Sequence, residues 1–452
     1  MKVAEAISHA LVSEGVRLAA GITGQSIGHV ADALAEDDGV KVIYARQERV
    51  AFDICDGFAR ASGKPAVVFS DAGPAAANAM GGLVNSWGDS IPVLFIAGHN
   101  DRTDMPTGDC KEIPFRALFG PVSKWVGVIE EPEQVAPLLR RAFMHLTTGR
   151  PGPVVLGMPY DVSSKDAGNF AYDALSAHRR VRAAGDPAAI AAAADLLLRA
   201  ERPYVYAGAG VLFSEATPEL VALAEELALP VSTTLNGKSA FPEDHELSLG
   251  IGGFARAQYG SLHASVMAEE ADVILTLGCG FKRHTTRRPR PVGSRHIQVD
   301  VDAAEINKHH VADVPILGDA KIVLAQLLEA VRARKGEQRP GMAQTRARVA
   351  ELRQRWNELS LPLLSADTAP VNPFRVTQEL ARALPPGRSI VLHDAGSVRG
   401  TTCQHYPATQ PRSFIGFGVQ SAMGWSIGAA IGAKVAEPHK IVCAVIGEEA
   451  FN

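Results

Sequence analysis

Apolar positions Val3, Ile7, Leu11 and Val16 recur every four or five residues among polar neighbours. That is the spacing of a helix with one buried face, and residues 3–14 are expected to form one. Beyond it come short apolar runs at 40–44, 65–69 and 92–97, with helical spacing at 50–61 and 78–86 between them. Strands that are apolar on both faces and alternate with helices belong in a parallel sheet covered by helices. A last apolar strand falls within 150–162, so the first unit is expected to be an open α/β domain spanning 1–165.

A polar, turn-rich connection runs on to about residue 182. The Ala-rich stretch 187–200 then reads as a helix and 204–207, 273–277 and 296–301 as strands, which makes 183–335 a second α/β unit. The charged stretch 332–355 suggests an exit helix and linker. A third unit, 370–452, opens with a helix at 375–383 and a strand at 390–393, crosses a Gly-rich region at 416–432 and reaches a strand at 441–446. The chain stops at Asn452, one strand and a loop into a domain expected to match the first in size. A longer natural protein is the favoured expectation, and completion by a second polypeptide the other.

Composition narrows the class without naming it. A chain of 452 residues exceeds one ordinary core, and domains of ~150 residues agree with three units. Apolar residues make up 46% and charged residues 21%, with 45 Lys and Arg against 49 Asp and Glu, which points away from disorder and from nucleic acid. Cys55, Cys110, Cys279, Cys403 and Cys443 stand singly, a pattern of reduced, buried thiols in a cytoplasmic protein. No apolar run reaches the ~18 residues of a membrane span, and the first residues lack the cationic flank and apolar block of a signal peptide.

Two places could carry chemistry in the first unit. Glu48 follows a strand and opens a helix that ends Gly57-Phe58-Ala59-Arg60-Ala61, and ligands in open α/β sheets sit beyond the carboxyl ends of strands. Taken alone it is also the ordinary acid that a helix macrodipole favours. Ser70-Asp71-Ala72-Gly73-Pro74, continuing to Asn78, follows another strand. Its Gly-Pro turn allows close approach of backbone to a ligand, and the helix after it offers free amides.

The order of the motifs is more specific than any one of them. They are Arg46-x-Glu48, the run from Gly57 to Lys64-Pro65, Gly73-Pro74 with Asn78, Asp89-Ser90-Ile91-Pro92, Arg150-Pro151-Gly152-Pro153, Gln298-Val299-Asp300-Val301-Asp302, the glycines from Gly424 to Gly432, and Gly447-Glu448-Glu449. Together they span essentially the whole chain, which resembles the acetolactate synthase-like, large-subunit branch of the thiamine diphosphate-dependent enzymes.

The resemblance implies three open α/β domains: an N-terminal pyrimidine-binding one, a central one and a C-terminal diphosphate-binding one that is truncated. It implies a cofactor whose pyrimidine ring is activated by Glu48, a carboxyl whose charged form a dry pocket disfavours. By the same resemblance Gly73, Pro74 and Asn78 approach the cofactor, the carbonyl of Ser421 accepts its amino group, and Met423 is the apolar wedge beneath it. The glycines Gly418, Gly424, Gly428 and Gly432 are expected to let that ligand come close. Asp394, Gly396 and Ser397 would hold the diphosphate, with Gly447 and Glu449 beside it and Glu448 giving an oxygen to Mg2+. Gln25, Gln47, Lys111 and Lys124 are expected to face the substrate.

The substrate implied is a 2-keto acid or acyl donor, and the enzyme a homodimer or homotetramer in which Glu48 reaches a cofactor held mainly by the partner subunit. Carboligation is favoured over decarboxylation or acyl-CoA lyase action. A non-catalytic cofactor-binding or regulatory relative, and a flavin or nicotinamide oxidoreductase suggested by Gly208-Ala209-Gly210 and Gly278-Cys279-Gly280, are the rivals; retention of FAD is left open.

The chain departs from the family pattern where it matters for specificity. Gln47 stands where a histidine is usual, and Asp109-Cys110-Lys111-Glu112 where Phe-Gln-Glu is common, ahead of Leu118-Phe119 and Lys124-Trp125; by the resemblance these positions face the substrate, so it is expected to differ from that of the acetolactate synthases. Glu448 and Glu449 replace an aspartate and a glycine. The basic run 282–290 would serve a solvated or intersubunit surface, or an anionic nucleotide.

Overall fold

The computed structural model describes residues 1–174, 181–255, 259–282, 289–334, 336 and 338–452. The chain divides into two compact units: Met1–Val181 with Val419–Ala444 and Glu448–Asn452, and Arg182–Gly418 with Val445–Gly447. The expected third domain is therefore shared between them.

The first unit holds a six-stranded sheet. Its strands are β1 (Leu18–Gly21), β2 (Lys41–Tyr44), β3 (Ala66–Ser70), β4 (Val93–His99), β5 (Trp125–Val128) and β6 (Val154–Pro159), in the order β2-β1-β3-β4-β6-β5. Every pairing is parallel. β3, β4 and β6 are buried along their whole length, which is why they read as unbroken apolar runs. β1 was not legible: four residues, two of them alanine, carry little periodic signal, and pairing with β2 and β3 decides their state. β5 and the helix Val135–Thr147 also went unanticipated, and the helix expected at 78–86 is two, Pro74–Asn78 and Met80–Asp89.

Helices Val3–Ser13 and Val135–Thr147 lay Ile7, Leu11, Leu139 and Phe143 on Val67, Leu94 and Leu156 of the sheet. Each such side chain contributes about 1.5–3 kcal/mol on burial. The helix Glu48–Ser62 is closed at both ends: the Gln47 side chain accepts from the Val50 amide at 3.3 Å, and Gly63, at φ 72°, ends it in the left-handed conformation that glycine adopts without strain.

The second unit carries a six-stranded parallel sheet too, in the order β12-β11-β10-β7-β8-β9. Its members are β7 (Pro203–Ala207), β8 (Val231–Thr233), β9 (Ser248–Ile251), β10 (Val273–Leu277), β11 (Arg295–Asp300) and β12 (Val314–Leu317). Helices Pro187–Arg199 and Ala320–Ala333, capped by the carboxylates of Asp186 and Asp319, cover it with Ile190, Leu197, Leu324 and Leu327. In place of an exit helix at 332–355 there is a long helix, Met342–Leu364.

Strand β13 (Ser389–His393) pairs in parallel with the short β14 (Phe414–Ile415), and the Asp394 amide donates to the carbonyl of Val445, last residue of β15 (Ile441–Val445), at 3.0 Å. Of the basic run, residues 283–288 lie outside the described residues. No helix among the described residues is long and apolar enough to cross a membrane.

Candidate active site

In the first sheet the strand order turns back between β1 and β3, and a parallel sheet opens its binding crevice beyond the carboxyl ends of the strands at such a switch point. Gln25 follows β1, Gln47 and Glu48 follow β2, Asp71 to Pro74 follow β3, and the loop carrying Lys111 follows β4. The residues there are tied to one another. Asp71 accepts from the Ser26 amide at 3.0 Å and from the Ser26 hydroxyl, and the Lys111 ammonium stands 2.7 Å from its other oxygen. Burial alone would raise the Asp71 pKa, but Lys111, Ser26 and the Ala72 amide together hold it below the usual carboxylate range.

Gly73, at φ 62°, is the residue the turn requires: a Cβ there would lie 2.8 Å from the Lys111 backbone. From Gly73 the single turn Pro74–Asn78 leads to Glu48, whose Oε2 accepts from the Asn78 amide nitrogen at 3.3 Å. Glu48 is only 6% exposed although it opens a helix, because the turn after β3 covers it. Beside it Arg49 donates to the carbonyl of Met423 and pairs with Asp53 at 3.7 Å. Glu48, Asn78 and the Ser421–Met423 segment are thus gathered within one chain. Met423 itself is 55% exposed, and Ser421 sits at φ 52°, a strained conformation for a residue with a side chain.

Three of the glycines expected to make room for a ligand have a different use. A Cβ on Gly428 would lie 2.8 Å from the Asp53 Cβ, one on Gly432 1.8 Å from the Ile54 carbonyl, and one on Gly418 2.1 Å from the Asn236 side chain. The first two, with Gly57, let the helix Trp425–Ala436 lie directly on the helix Glu48–Ser62. Gly424 alone keeps a turn role, at φ 81° before Trp425.

A buried ionic cluster, most of whose members lie within the motifs, spans the same contact. Arg60 pairs with Asp56 at 2.5 Å and with Asp89 at 3.1 Å, Ser86 donates to Asp56 at 2.8 Å, and the Trp425 indole donates to Asp56 at 3.0 Å. Burial would lower the Arg60 pKa, yet the two carboxylates hold it above the ordinary value. Sequence reasoning noted Arg60 and Asp89 only as motif letters. Residues so far apart in the chain gave no sign that they meet.

In the second unit Asp394 is fully buried and accepts from the Ala395 amide at 2.7 Å, while Gly396 and Ser397 are exposed where the helix Ser397–His405 begins. Such a terminus presents free amides to an anion. The glycines that suggested a dinucleotide are explained by contact: a Cβ on Gly208 would meet the Gly278 carbonyl oxygen at 2.1 Å.

The description "Thiamine pyrophosphate enzyme, N-terminal TPP binding domain" matches residues 1–117, the central domain of the same family 190–327, and its C-terminal TPP binding domain 394–452. The chain is 36% identical to the probable acetolactate synthase large subunit of Methanocaldococcus jannaschii, over all of this chain and 76% of that protein. The chain belongs to the thiamine pyrophosphate enzyme family. Within it the resemblance is to the acetolactate synthase-like branch. Identity is 30% to the acetolactate synthase isozyme 3 large subunit of Escherichia coli K12, over 98% of this chain and 77% of that protein. It is 31% to the glyoxylate carboligase of Escherichia coli O157:H7, over the whole chain and 75% of that protein.

The residues of the first unit suit the pyrimidine end of such a cofactor: a covered carboxyl, a turn with φ near 60°, and an exposed methionine on a strained segment. Glu448 and Glu449 are exposed in the short helix Glu448–Phe451, and Gly447 precedes them. Among the described residues no three His, Cys, Asp or Glu side chains gather to hold a metal. One carboxylate suffices for Mg2+ when phosphates supply further oxygens.

Three expectations need correction. Lys124 precedes β5, at the amino-terminal edge of the sheet, where its ammonium donates to the Thr148 carbonyl at 2.9 Å; the candidate site lies at the opposite edge. Phe119 is fully buried against Phe95 and Phe115, a core residue and not a substrate contact. Of the thiols, Cys55, Cys279 and Cys403 are buried as expected, but Cys110 is exposed and Cys443 half-buried.

Proposed function

We propose that this chain is a thiamine diphosphate-dependent carboligase in which Glu48 activates the cofactor, acting on a 2-keto acid. Bound thiamine diphosphate would supply a nucleophilic carbon and an electron sink for decarboxylation. The chain's own residues supply the rest. Glu48, shielded by the turn Pro74–Asn78, keeps a proton in play against the pyrimidine, and Asn78 orients its carboxyl. The exposed amides at Gly396 and Ser397 receive the diphosphate, with Asp394 bracing the turn. Ser421 and Met423 support the ring, and Glu448 offers one oxygen to the Mg2+ that accompanies the phosphates, with Gly447 and Glu449 alongside.

Gln25 and Lys111 face the substrate from the switch point. Gln47 is partly committed to capping its helix. The placement of a covered Glu48 beside Asn78 and the Met423 segment carries this reading.

A homodimer or homotetramer is proposed as well. The contacts described at Glu48 lie within one chain, and the proposal of an oligomer does not rest on them. Light scattering tests this point, and fractionation tests the cytoplasmic location proposed with it. For the chemistry, Glu48→Gln should abolish CO2 release and ligation from pyruvate or glyoxylate while its melting temperature stays within about 2 °C of the parent, since an exchange of similar volume leaves packing intact. Undiminished turnover would remove Glu48 from the mechanism.

A further inference from the structure

The contact between the Trp425–Ala436 and Glu48–Ser62 helices is built from glycines, and glycines bring helices together without fixing where along each other they stop. A knob in a hole defines a register, and a smooth backbone face does not. At Gly57, Gly428 and Gly432 the nearest atoms across the contact are backbone or Cβ atoms. Something else must choose the axial position.

A directional side-chain bond between these two helices runs from the Trp425 Nε1–H to Asp56 Oδ1, at 3.0 Å, and Arg49 of the Glu48 helix adds a tie to the Met423 carbonyl just before the other helix begins. Both carboxylate oxygens of Asp56 are held from its own side. Arg60 reaches Oδ1 at 2.5 Å and Oδ2 at 3.4 Å, and the Ser86 hydroxyl donates to Oδ2 at 2.8 Å. Arg60 is in turn anchored by Asp89 at 3.1 Å and stacks 5.0 Å above the Trp425 ring. Asp56 and Asp89 are under 5% exposed, Arg60 is 8% exposed, and Ser86 and Trp425 are fully covered. Such a cluster is a poor source of net stability, because desolvating three charges offsets most of their attraction; its best-attested use is to select one register among several.

Trp425 is the first residue of its helix and stands two positions after Met423. A slip of one residue would move it 1.5 Å along the axis and turn it by about 100°, breaking the bond to Asp56. We propose that Asp56 and Trp425 are positioning residues: their bond fixes the register of the Trp425 helix on the Glu48 helix and so places Ser421 and Met423 opposite Glu48. The inference rests on the reading of those residues as cofactor contacts.

The test is Trp425→Phe, which keeps the ring over Arg60 and deletes the donor, compared with Asp89→Asn, which weakens the same cluster without touching the indole. Calorimetry with thiamine diphosphate in excess Mg2+, thermal unfolding, and hydrogen exchange at the amides of residues 421–424 are read for each. Trp425→Phe should weaken cofactor binding on the order of ten-fold and speed exchange at 421–424, in line with loss of one buried hydrogen bond to a charged group. Asp89→Asn should lower the melting temperature and leave the dissociation constant within about two-fold. Asp56→Asn, which retains a carbonyl acceptor for the indole, should bind the cofactor better than Asp56→Ala.

If Trp425→Phe binds as tightly as the parent with unchanged exchange, the glycine contact and the Arg49 bond to Met423 set the register without the indole and the proposal is wrong, even if stability falls. A parent protein that shows no binding of thiamine diphosphate sinks the cofactor reading first, and this inference with it.

Discussion

Gly432→Ala adds one methyl group at the closest point of the helix pair that carries Glu48 and Trp425. Its Cβ would stand 1.8 Å from the Ile54 carbonyl oxygen and 2.7 Å from the Phe58 nitrogen. Both are backbone atoms of a packed helix, so no side chain can rotate aside, and the helices must part by more than an ångström. Alanine favours a helix over glycine by about 1 kcal/mol, while overpacking costs about 1–3 kcal/mol. The clash lies at the upper end of that range because parting also loosens Gly57 on Ala429. A net loss of about 1–2 kcal/mol follows, a fall of roughly 2–8 °C for a unit of this size. The control is Gly81→Ala, where the new methyl would meet only the Arg49 side chain at 3.5 Å and should raise stability by up to about 1 kcal/mol. Far-UV circular dichroism during heating reads both. A Gly432→Ala protein as stable as the parent would refute the close packing of the two helices, and with it the setting of Glu48.

Two further outcomes follow from the geometry. Burial pushes His263 down to about 3, and burial assisted by nearby cations pushes His296 and His405 down to about 4. All three are therefore neutral when folded but take up protons near pH 6.5 when unfolded. The unfolded state binds more protons below pH 6.5, so their stabilisation is complete above that pH and is lost as pH falls towards 4, by on the order of 3 kcal/mol for a group such as His405. Urea midpoints measured between pH 7 and pH 4 check this, and His405→Phe should flatten the decline; a midpoint constant over that range would contradict it. Replacing Lys111 with Met should raise KM for the keto acid several-fold and shift the melting temperature by less than about 2 °C, because a part-exposed pair adds under about 1 kcal/mol. An unchanged KM would take Lys111 off the substrate edge.

Sequence alone determined the parallel α/β character, since β3, β4, β6 and β10 are buried on both faces and their apolar runs needed no partner to be recognised. It also singled out Glu48, Gly73 and Met423, because ordered motifs survive in one dimension. It could not show β1, whose four residues become a strand only by pairing on both sides, nor the use of Gly428 and Gly432, which depends on what lies across from them. The placement of Lys124 failed for a similar reason: chain order does not say which end of a parallel strand a residue occupies until the strand is found. Arg60 and Asp89 were visible as motif letters and Trp425 was not singled out at all, and only the tertiary structure made them one buried cluster, because Coulomb attraction and hydrogen bonding act over a few ångströms of space, whatever the separation along the chain. That cluster and its glycine contact bring the Met423 segment to the helix that Glu48 opens.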